Sequence, residues 1–228
     1  MAIVEQAVEQ EVPPLIPGDF LSRHDFLRRW EAVPHLKRAE LIRGVVYMPS
    51  PVGWDHGNTE NNVGTWLGVY RAATPGCAAA NNATWLMGDD APQPDTSLCI
   101  LPEYGGQAQR HGRYPSGAPE FLAEVCLSST AYDLHQKWQL YQEAGVQEYL
   151  AVLMREREVR WHRLIGGRFE LAPVPADGEY RSAVFPGLWL DASALLAGDL
   201  ARVLAKLQQG LTSPEHAGFV EQLARRRS

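Results

Sequence analysis

Two acidic residues lie where the sequence otherwise predicts buried strands. Glu124 interrupts the apolar run FLAEVCL, and Asp95 follows a proline at the start of the apolar run TSLCIL. Because an unpaired buried carboxylate costs several kcal/mol or takes up a proton, each acid needs a partner. Two carboxylates at neighbouring strand ends form an oxygen site suited to Mg²⁺ or Mn²⁺. A metal held by Asp95 and Glu124 would account for both acids together.

The same two acids also have a purely structural interpretation. Asp95 can cap a turn at the entry to its strand, and Glu124 can form a salt bridge with a residue on a neighbouring strand. Residue patterning alone leaves both interpretations open.

The elements that would position these acids begin with a helix and a hairpin. Ser22 is the expected cap of a short helix that continues through FLRRW. The segment AELIRGVVYMPSP predicts a hairpin that turns at Arg43 and Gly44. A first long helix is predicted from His56 to Arg71, where apolar side chains recur every three or four positions: Val63, Trp66, Leu67 and Tyr70.

Strands and a second long helix follow. Strands are predicted at residues 83–87, 96–101 and 120–127. The run AYDLHQKWQLYQEAG predicts a helix with a capping box from Thr130 to Asp133 and a stop at Gly145, and it leads into the strand EYLAVL. A further hairpin turns at Gly166 and Gly167, and GLWLDASALLAGDLARVLAKLQQGL reads as a strand end followed by a helix. The order predicts an α/β fold: a mixed β-sheet flanked by helices, with antiparallel hairpins at its margins.

Composition and charge limit the classes of function. The 228 residues are 45% hydrophobic and 21% charged, which is typical of a globular protein. The acidic N-terminus and the lack of any apolar run of about 20 residues favour a cytoplasmic protein without a membrane partner. Three widely separated cysteines indicate neither disulfides nor zinc. The net charge of −6 gives no general attraction to nucleic acid, so such binding would need a local basic surface, a bridging cation or a partner protein.

The order of several short motifs resembles a known family. PD is followed by PEFLAEV, by SST, by an aspartate with a lysine four residues later, and by a tyrosine and AGVQEY. This series is similar to the Uma-type restriction endonuclease family of the PD-(D/E)XK nuclease superfamily. AELIRGVVYMPSP with the following His56 resembles the opening hairpin of that family, and GLWLDASALLAG resembles its closing segment. The resemblance spans roughly residues 20–198.

The resemblance implies a restriction-endonuclease-like fold and metal-dependent hydrolysis of phosphodiester bonds, with DNA as the expected substrate. Asp95 and Glu124 match the two acids expected to bind Mg²⁺ or Mn²⁺. The lysine of the superfamily normally lies two residues after the second acid, where this chain has Cys126. Lys137 is the implied replacement, and it would position the attacking water or counter the charge that develops on phosphate. The alternative for Lys137 is a solvated helix residue paired with Asp133.

Three other predicted site residues follow from the same alignment of motifs or from their position beside it. Glu40 could complete the metal shell directly or through water, or could instead pair with Arg38 or Arg43 in the hairpin. His56 could contact substrate or the outer shell of the metal, or could instead cap a helix with Asp55. Tyr141 follows Lys137 by one helical turn, so it could support the site and contact substrate or pack in the core.

The glycine-rich segment PEYGGQAQRHGRYPSG is predicted to be a long loop between Asp95 and Glu124. Its Arg110 and Arg113, with His111 and Tyr114, could contact phosphate and stack on a base, or could form a solvated loop.

The resemblance also sets the expected domain boundaries. We predict an N-terminal arm over residues 1–20, a nuclease-like α/β domain over residues 21–198, and a C-terminal helical extension over residues 199–228. An apolar stripe in that extension could pair two chains into a homodimer or pack on the same chain: Leu200, Val203, Leu204 and Leu207.

Three functions are consistent with these residues. The first is a metal-dependent endonuclease that uses Asp95, Glu124 and Lys137, with Glu40 as a further candidate. The second is a catalytically inactive protein that keeps the nuclease fold as a dimeric binding or scaffolding module. The third is a hydrolase of small phosphorylated molecules, which an acidic surface would tolerate better.

Overall fold

The computed structural model describes residues 12–48, 51–127 and 132–227. In chain order the elements are α1 (Arg23–Glu31), β1 (Glu40–Ile42), β2 (Val45–Tyr47), α2 (Trp54–Ala73), β3 (Cys77–Asn81), β4 (Thr96–Ile100), β5 (Gln109–His111), β6 (Tyr114–Ser116), β7 (Phe121–Cys126), α3 (Tyr132–Ala144), β8 (Glu148–Leu153), β9 (Glu158–Ile165), β10 (Arg168–Leu171), β11 (Glu179–Arg181), β12 (Trp189–Asp191), α4 (Ala192–Leu196), α5 (Leu200–Leu211) and α6 (Pro214–Arg226).

The centre of the fold is a six-stranded sheet in the order β10-β9-β8-β7-β4-β3. Neighbouring strands are antiparallel except β7 and β8, which are parallel and connected by α3. The pairs β1–β2, β5–β6 and β11–β12 form two-stranded ribbons outside this sheet. The predicted α/β class, with a mixed sheet, flanking helices and antiparallel hairpins, is confirmed.

Alternation along β7 assigns each of its side chains to one of two cores. Phe121, Ala123 and Val125 pack in the larger core, which α2 covers with its four apolar residues at helical spacing. Leu122 points to the opposite face, where α3 packs against β8. Because side chains alternate along a strand, Glu124 is on the face of Leu122. The acid of the predicted site therefore lies beneath α3.

Helix α1 and the β1–β2 hairpin share a third, smaller core. Ser22 accepts a hydrogen bond from the Asp25 N–H, so the predicted cap of α1 is confirmed. The hairpin turns at Arg43 and Gly44 as predicted, and both residues have positive φ. Leu15 is buried in this core, which places part of residues 12–20 directly against the hairpin.

One predicted strand does not form, and one observed strand was not predicted. Within residues 83–87, isolated bridges form at Leu86 and Met87 in place of a continuous strand, because the N–H groups of Trp85 and Leu86 bond to the carbonyls of Pro92 and Pro115. The edge strand beside β4 is β3, whose alanine-rich sequence carries little β-propensity. The predicted long loop between Asp95 and Glu124 is ordered as a short 3-10 helix, Pro102–Tyr104, and the β5–β6 hairpin.

The predicted helix ends are partly described. Helix α3 stops before Gly145, which has φ +87°, as predicted. Thr130, the expected capping residue, lies outside the described residues. The single predicted helix after β12 is two helices, α4 and α5, with Asp199 capping the second.

The C-terminal helices complete the larger core of the same chain. Val203 and Leu207 of α5 are fully buried there, and Leu200 and Leu204 pack against it. Phe219 and Leu223 extend this packing into α6. The apolar stripe therefore packs on its own chain. Within the described residues, no helix combines the length and apolarity needed to cross a membrane.

Candidate active site

Strand pairing brings Asp95 opposite Glu124. The register of β4 and β7 pairs Thr96 with Ala123, so the next position along places the two acids side by side. The backbone N–H of Val125 donates to Oδ2 of Asp95 at 2.8 Å, which fixes the carboxylate at the mouth of β4. The pairing follows from antiparallel register, because residues on one face of two neighbouring strands lie about 5 Å apart.

Helix α3 supplies the partners of Glu124. Lys137 Nζ lies 3.1 Å from Oε1 of Glu124, and the hydroxyl of Tyr141 donates to the same oxygen at 2.6 Å. The two donors are one turn apart on α3, so they reach one carboxylate together. The side chain of Lys137 is only 10% exposed, which excludes the solvated interpretation of this residue.

The β1–β2 hairpin brings a third carboxylate to Lys137. Glu40 Oε1 lies 3.0 Å from Lys137 Nζ and accepts the backbone N–H of Gln93 at 2.7 Å. Neither arginine considered as its partner binds it: Arg38 pairs with Glu60, and Arg43 pairs with Glu143. The interpretation of Glu40 as part of a hairpin salt bridge is therefore wrong.

The carboxyl groups of Glu124, Glu40 and Asp95 interact with the ammonium group of Lys137, and these interactions shift pKa values in the site. Burial raises the pKa of Glu124; the charge of Lys137 lowers it, while Asp95 and Glu40 raise it further, to about 8. Burial lowers the pKa of Lys137, but Glu124, Glu40 and Asp95 outweigh burial and raise that pKa well above its ordinary value. The site therefore holds a lysine cation together with an excess of acidic groups.

Helix α2 adds two residues close to Asp95. Ligand atoms of His56, Glu60 and Asp95 all lie within 4.8 Å of one another. Burial raises the pKa of Asp95 and Glu60 raises it too, while Lys137 and His56 lower it. Asp95 is thus close both to the cluster of Glu124, Glu40 and Lys137 and to the pair on α2.

Glu60 is held in place by two donors. Asn82 Nδ2 and Arg38 both bond to its Oε1, at 2.6 and 3.4 Å. Glu60 was not predicted from the sequence. Its position four residues after His56 could have identified it, because this spacing places both residues on one helix face. Helix α2 begins at Trp54 after Gly53, without a side-chain cap, so the capping interpretation of His56 is wrong.

These residues fit a divalent cation. Imidazole and carboxylate are donors that Mn²⁺ accepts, and carboxylate oxygens are also ligands of Mg²⁺. The three donor atoms are close enough for one ion to bridge them with a small adjustment of side chains. Glu124, the other predicted ligand, is not part of this group of three.

The site opens into a cleft of about 970 Å³. Its lining includes Asp95, Glu124, Lys137 and His56. A second groove of about 360 Å³ shares Asn82 and Gln93 with the cleft and continues past them to Tyr114. The two depressions therefore adjoin.

The remaining predicted residues lie outside the carboxylate cluster. Arg113 lines the second groove, with its guanidinium 5.5 Å from the ring centre of Tyr114. Arg110 is exposed on the β5–β6 hairpin and lines neither depression described above. Tyr141 is fully buried, so its contact is with Glu124 and not with a substrate in the cleft.

Comparison with known proteins agrees with the fold and with the motif order. A crystal structure described as that of a putative nuclease belonging to DUF820, from Anabaena variabilis, superposes with a TM-score of 0.53 at 18% identity. The match covers 75% of this chain and 98% of that one, so the chain has the fold of this nuclease class. The family described as "Uma2: Putative restriction endonuclease" matches residues 24–193. The chain belongs to this family, which confirms the resemblance. Among curated proteins, none matches the chain.

Proposed function

We propose that the protein is a metal-dependent endonuclease that hydrolyses phosphodiester bonds in DNA. The observation that carries the proposal is the position of Asp95, which lies opposite Glu124 in the strand register, interacts with Lys137, and is close to His56 and Glu60. Membership of a restriction endonuclease family supports the reaction class. A divalent cation at Asp95 would lower the pKa of a bound water and neutralise charge on the phosphate.

Asp95 is the residue that would hold this cation, either with Glu124 or with His56 and Glu60. Its Oδ2 accepts the Val125 N–H, which leaves Oδ1 to bind the ion. Both donors to Glu60 reach Oε1, which likewise leaves Oε2. Tyr141 and Lys137 both contact Oε1 of Glu124, which lines the cleft, and this likewise leaves Oε2 to bind the ion.

Lys137 is the residue that would act on the phosphate. An ammonium group has three hydrogens, and the contacts with Glu40 and Glu124 use two of them. The third can donate to a phosphate oxygen or to the attacking water, since Lys137 lines the cleft. Helix α3 thus places the ammonium group of Lys137 beside Glu124. The lysine expected two residues after Glu124 is replaced by Cys126, so Lys137 would supply the positive charge needed for catalysis.

Cleavage of single-stranded and double-stranded DNA with Mg²⁺ or Mn²⁺ tests the proposal. Asp95→Asn and Glu124→Gln are expected to lose cutting, while Glu120→Gln keeps it. Glu120 is a matched control because it is also buried, directly before β7, but accepts from the N–H groups of Ile100 and Gln107. Retention of full activity in Asp95→Asn would refute the assignment of the site.

One observation favours a second candidate, an inactive nuclease-fold module that binds metal or nucleic acid. Glu40 and Glu124 already compensate the charge of Lys137, which weakens the effect of that charge on a phosphate. A wild type that cuts no DNA, yet melts at a higher temperature with Mn²⁺, would identify this candidate, because a ligand that binds the native state stabilises it.

A further inference from the structure

The mouth of the cleft carries an exposed apolar rim. Trp54, the first residue of α2, is 85% exposed and is the most exposed large apolar side chain among the described residues. Val52 and Leu127 beside the cleft are 48% and 58% exposed. All three line the same cleft as Asp95 and Glu124. An indole so fully in water, at the edge of a polar site, indicates a surface that a ligand covers.

The charges of the cleft limit what that ligand can be. Of the cations that line it, Arg38 pairs with Glu60 and Lys137 pairs with two carboxylates, while Arg155 is exposed. A duplex presents mainly phosphates, and its binding depends on several of them being neutralised by lysine and arginine. The net charge of the protein is −6, and among the described residues that line the cleft only Arg155 is an exposed lysine or arginine. The cleft therefore lacks the basic surface on which duplex binding depends.

An unpaired strand offers a different contact. Every base has a flat π-face, and stacking on an exposed aromatic side chain binds bases without pairing partners and without regard to sequence. Trp54 presents such a face at the entrance, and the adjoining groove contains a second aromatic surface. There the rings of Trp30 and Tyr114 lie 6.5 Å apart at an interplanar angle of 10°.

We infer that the cleft receives a single-stranded or unpaired segment of nucleic acid, with Trp54 as the residue that stacks on a base. The strand passes the carboxylates and continues past Asn82 and Gln93 into the groove of Tyr114, where exposed Arg113 meets a phosphate. The position of the scissile bond in this path depends on the proposed function, but the binding of the strand does not.

Binding without cleavage tests the inference. The probe is a fluorescein-labelled thymidine oligonucleotide of about 20 nucleotides, a length that spans one single-strand binding site, and its duplex with the complementary strand is the comparison. Anisotropy is measured for the full chain in Ca²⁺. The wild type is expected to bind the single strand more tightly than the duplex. Trp54→Ala is expected to weaken single-strand binding on the order of 10-fold, the effect of losing one stacked base.

Two further variants control the result. Trp54→Phe keeps an aromatic face and is expected to recover most of the affinity. Phe20→Ala removes an aromatic side chain that is 80% exposed but does not line the cleft, and it is expected to bind like the wild type. Melting temperatures of all variants confirm that they are folded.

Several outcomes would overturn the inference. These are unchanged single-strand binding in Trp54→Ala, tighter binding of the duplex by the wild type, and a dimer that dissociates in Trp54→Ala, which would make the rim a contact between copies. Cleavage is measured separately. A wild type that cuts DNA while Trp54→Ala binds normally leaves the proposed function intact, whereas Trp54-dependent binding without any cutting refutes the nuclease and keeps the inference.

Discussion

The buried ammonium group of Lys137 holds two carboxylates of the site together. Breaking a buried ion pair by removing one partner leaves uncompensated charge, which costs about 3–5 kcal/mol. We expect Lys137→Met to lower the free energy of unfolding by up to that amount at about pH 8, because Glu40 loses its counter-charge and Glu124 must either ionise without one or keep its proton. Urea denaturation measures the loss.

The pH dependence of this loss follows from the raised pKa of Glu124. A carboxyl whose folded-state pKa lies above its unfolded value contributes stability at low pH and loses it as pH rises through the folded pKa. Without Lys137 this pKa rises further, so the loss should be smaller at about pH 5 than at about pH 8. Arg225→Met, which breaks an exposed pair with Glu221, should cost at most about 1 kcal/mol at either pH. An equal loss for both variants would contradict the expectation.

We expect the ionised carboxylate of Asp95 to lower the stability of the folded protein when no metal is bound. Its pKa is raised by burial and by Glu60, so the ionised form is less favourable in the folded protein than in the unfolded chain. Asp95→Asn keeps the acceptor for the Val125 N–H and removes the charge. Without metal we therefore expect a higher melting temperature, by about 2–4 °C for each kcal/mol gained, and no further rise when Mn²⁺ is added. Differential scanning calorimetry checks both results.

Asp191→Asn is the matched control for that measurement. Burial raises the pKa of Asp191, but hydrogen bonds from Ser193, the Ala194 N–H and Arg202 outweigh it and lower the pKa overall. Neutralising Asp191 should therefore lower the melting temperature. If Asp95→Asn also melts lower than the wild type, then ionised Asp95 stabilises the folded protein, contrary to the expectation from its raised pKa.

Individual site residues could be predicted where a local pattern is informative. An acid inside an apolar strand indicates a functional or paired carboxylate, which led to Asp95 and Glu124. The partners of Glu124 and Glu40 depend on how α3 and the β1–β2 hairpin pack, and no local pattern specifies that packing. Glu60 was missed for the same reason, since its distance to Asp95 exists only after α2 packs beside β4.

At the scale of elements, the C-terminal helices are bound closely to the strand that precedes them. A methyl group at Gly210 in α5 would overlap the carbonyl oxygen of Gly187. On the other side of this segment, α2 donates from Trp66 to the Trp189 carbonyl and from Tyr70 to the Pro186 carbonyl, both at 2.9 Å. The segment is therefore enclosed between α2 and α5.

This close approach can be tested with two glycines in neighbouring helices. Gly210→Ala should lower stability by about 1–3 kcal/mol, because α5 must shift away from Gly187. Gly218→Ala in α6 meets no atom within 4 Å and should instead raise stability by up to about 1 kcal/mol through helix propensity. Chemical denaturation of both variants gives the comparison. A neutral Gly210→Ala would mean that α5 lies farther from the core.

Elements with strong periodicity were predictable, and those specified by tertiary contacts were not. Helix α2 and the hairpin at Gly166 and Gly167 follow from local pattern and turn chemistry. Strand β3 consists largely of alanine, and its place at the sheet edge comes from pairing with β4. Residues 83–87 have strand-like composition, but a turn at Gly88, with φ +58°, and bonds to other segments prevent a continuous strand.

The net charge of the whole molecule determines how its binding to nucleic acid should respond to salt. Each neutralised phosphate contributes about −0.7 to the slope of log K against log salt for a single strand. The proposed path has two exposed arginines, Arg155 and Arg113, on a chain of net charge −6. We therefore expect a slope of about −1.4 for single-stranded DNA, far shallower than for proteins with broad basic surfaces.

Titration of the labelled single strand at several salt concentrations in Ca²⁺ measures this slope. Arg155→Gln should make it shallower by about 0.7, because one phosphate contact is lost. Arg168→Gln, an exposed arginine on β10 at the far edge of the sheet, should leave it unchanged. A slope of about −5 or steeper would require more phosphate contacts than the described cations of the cleft can make, and would mean that binding depends on a different surface.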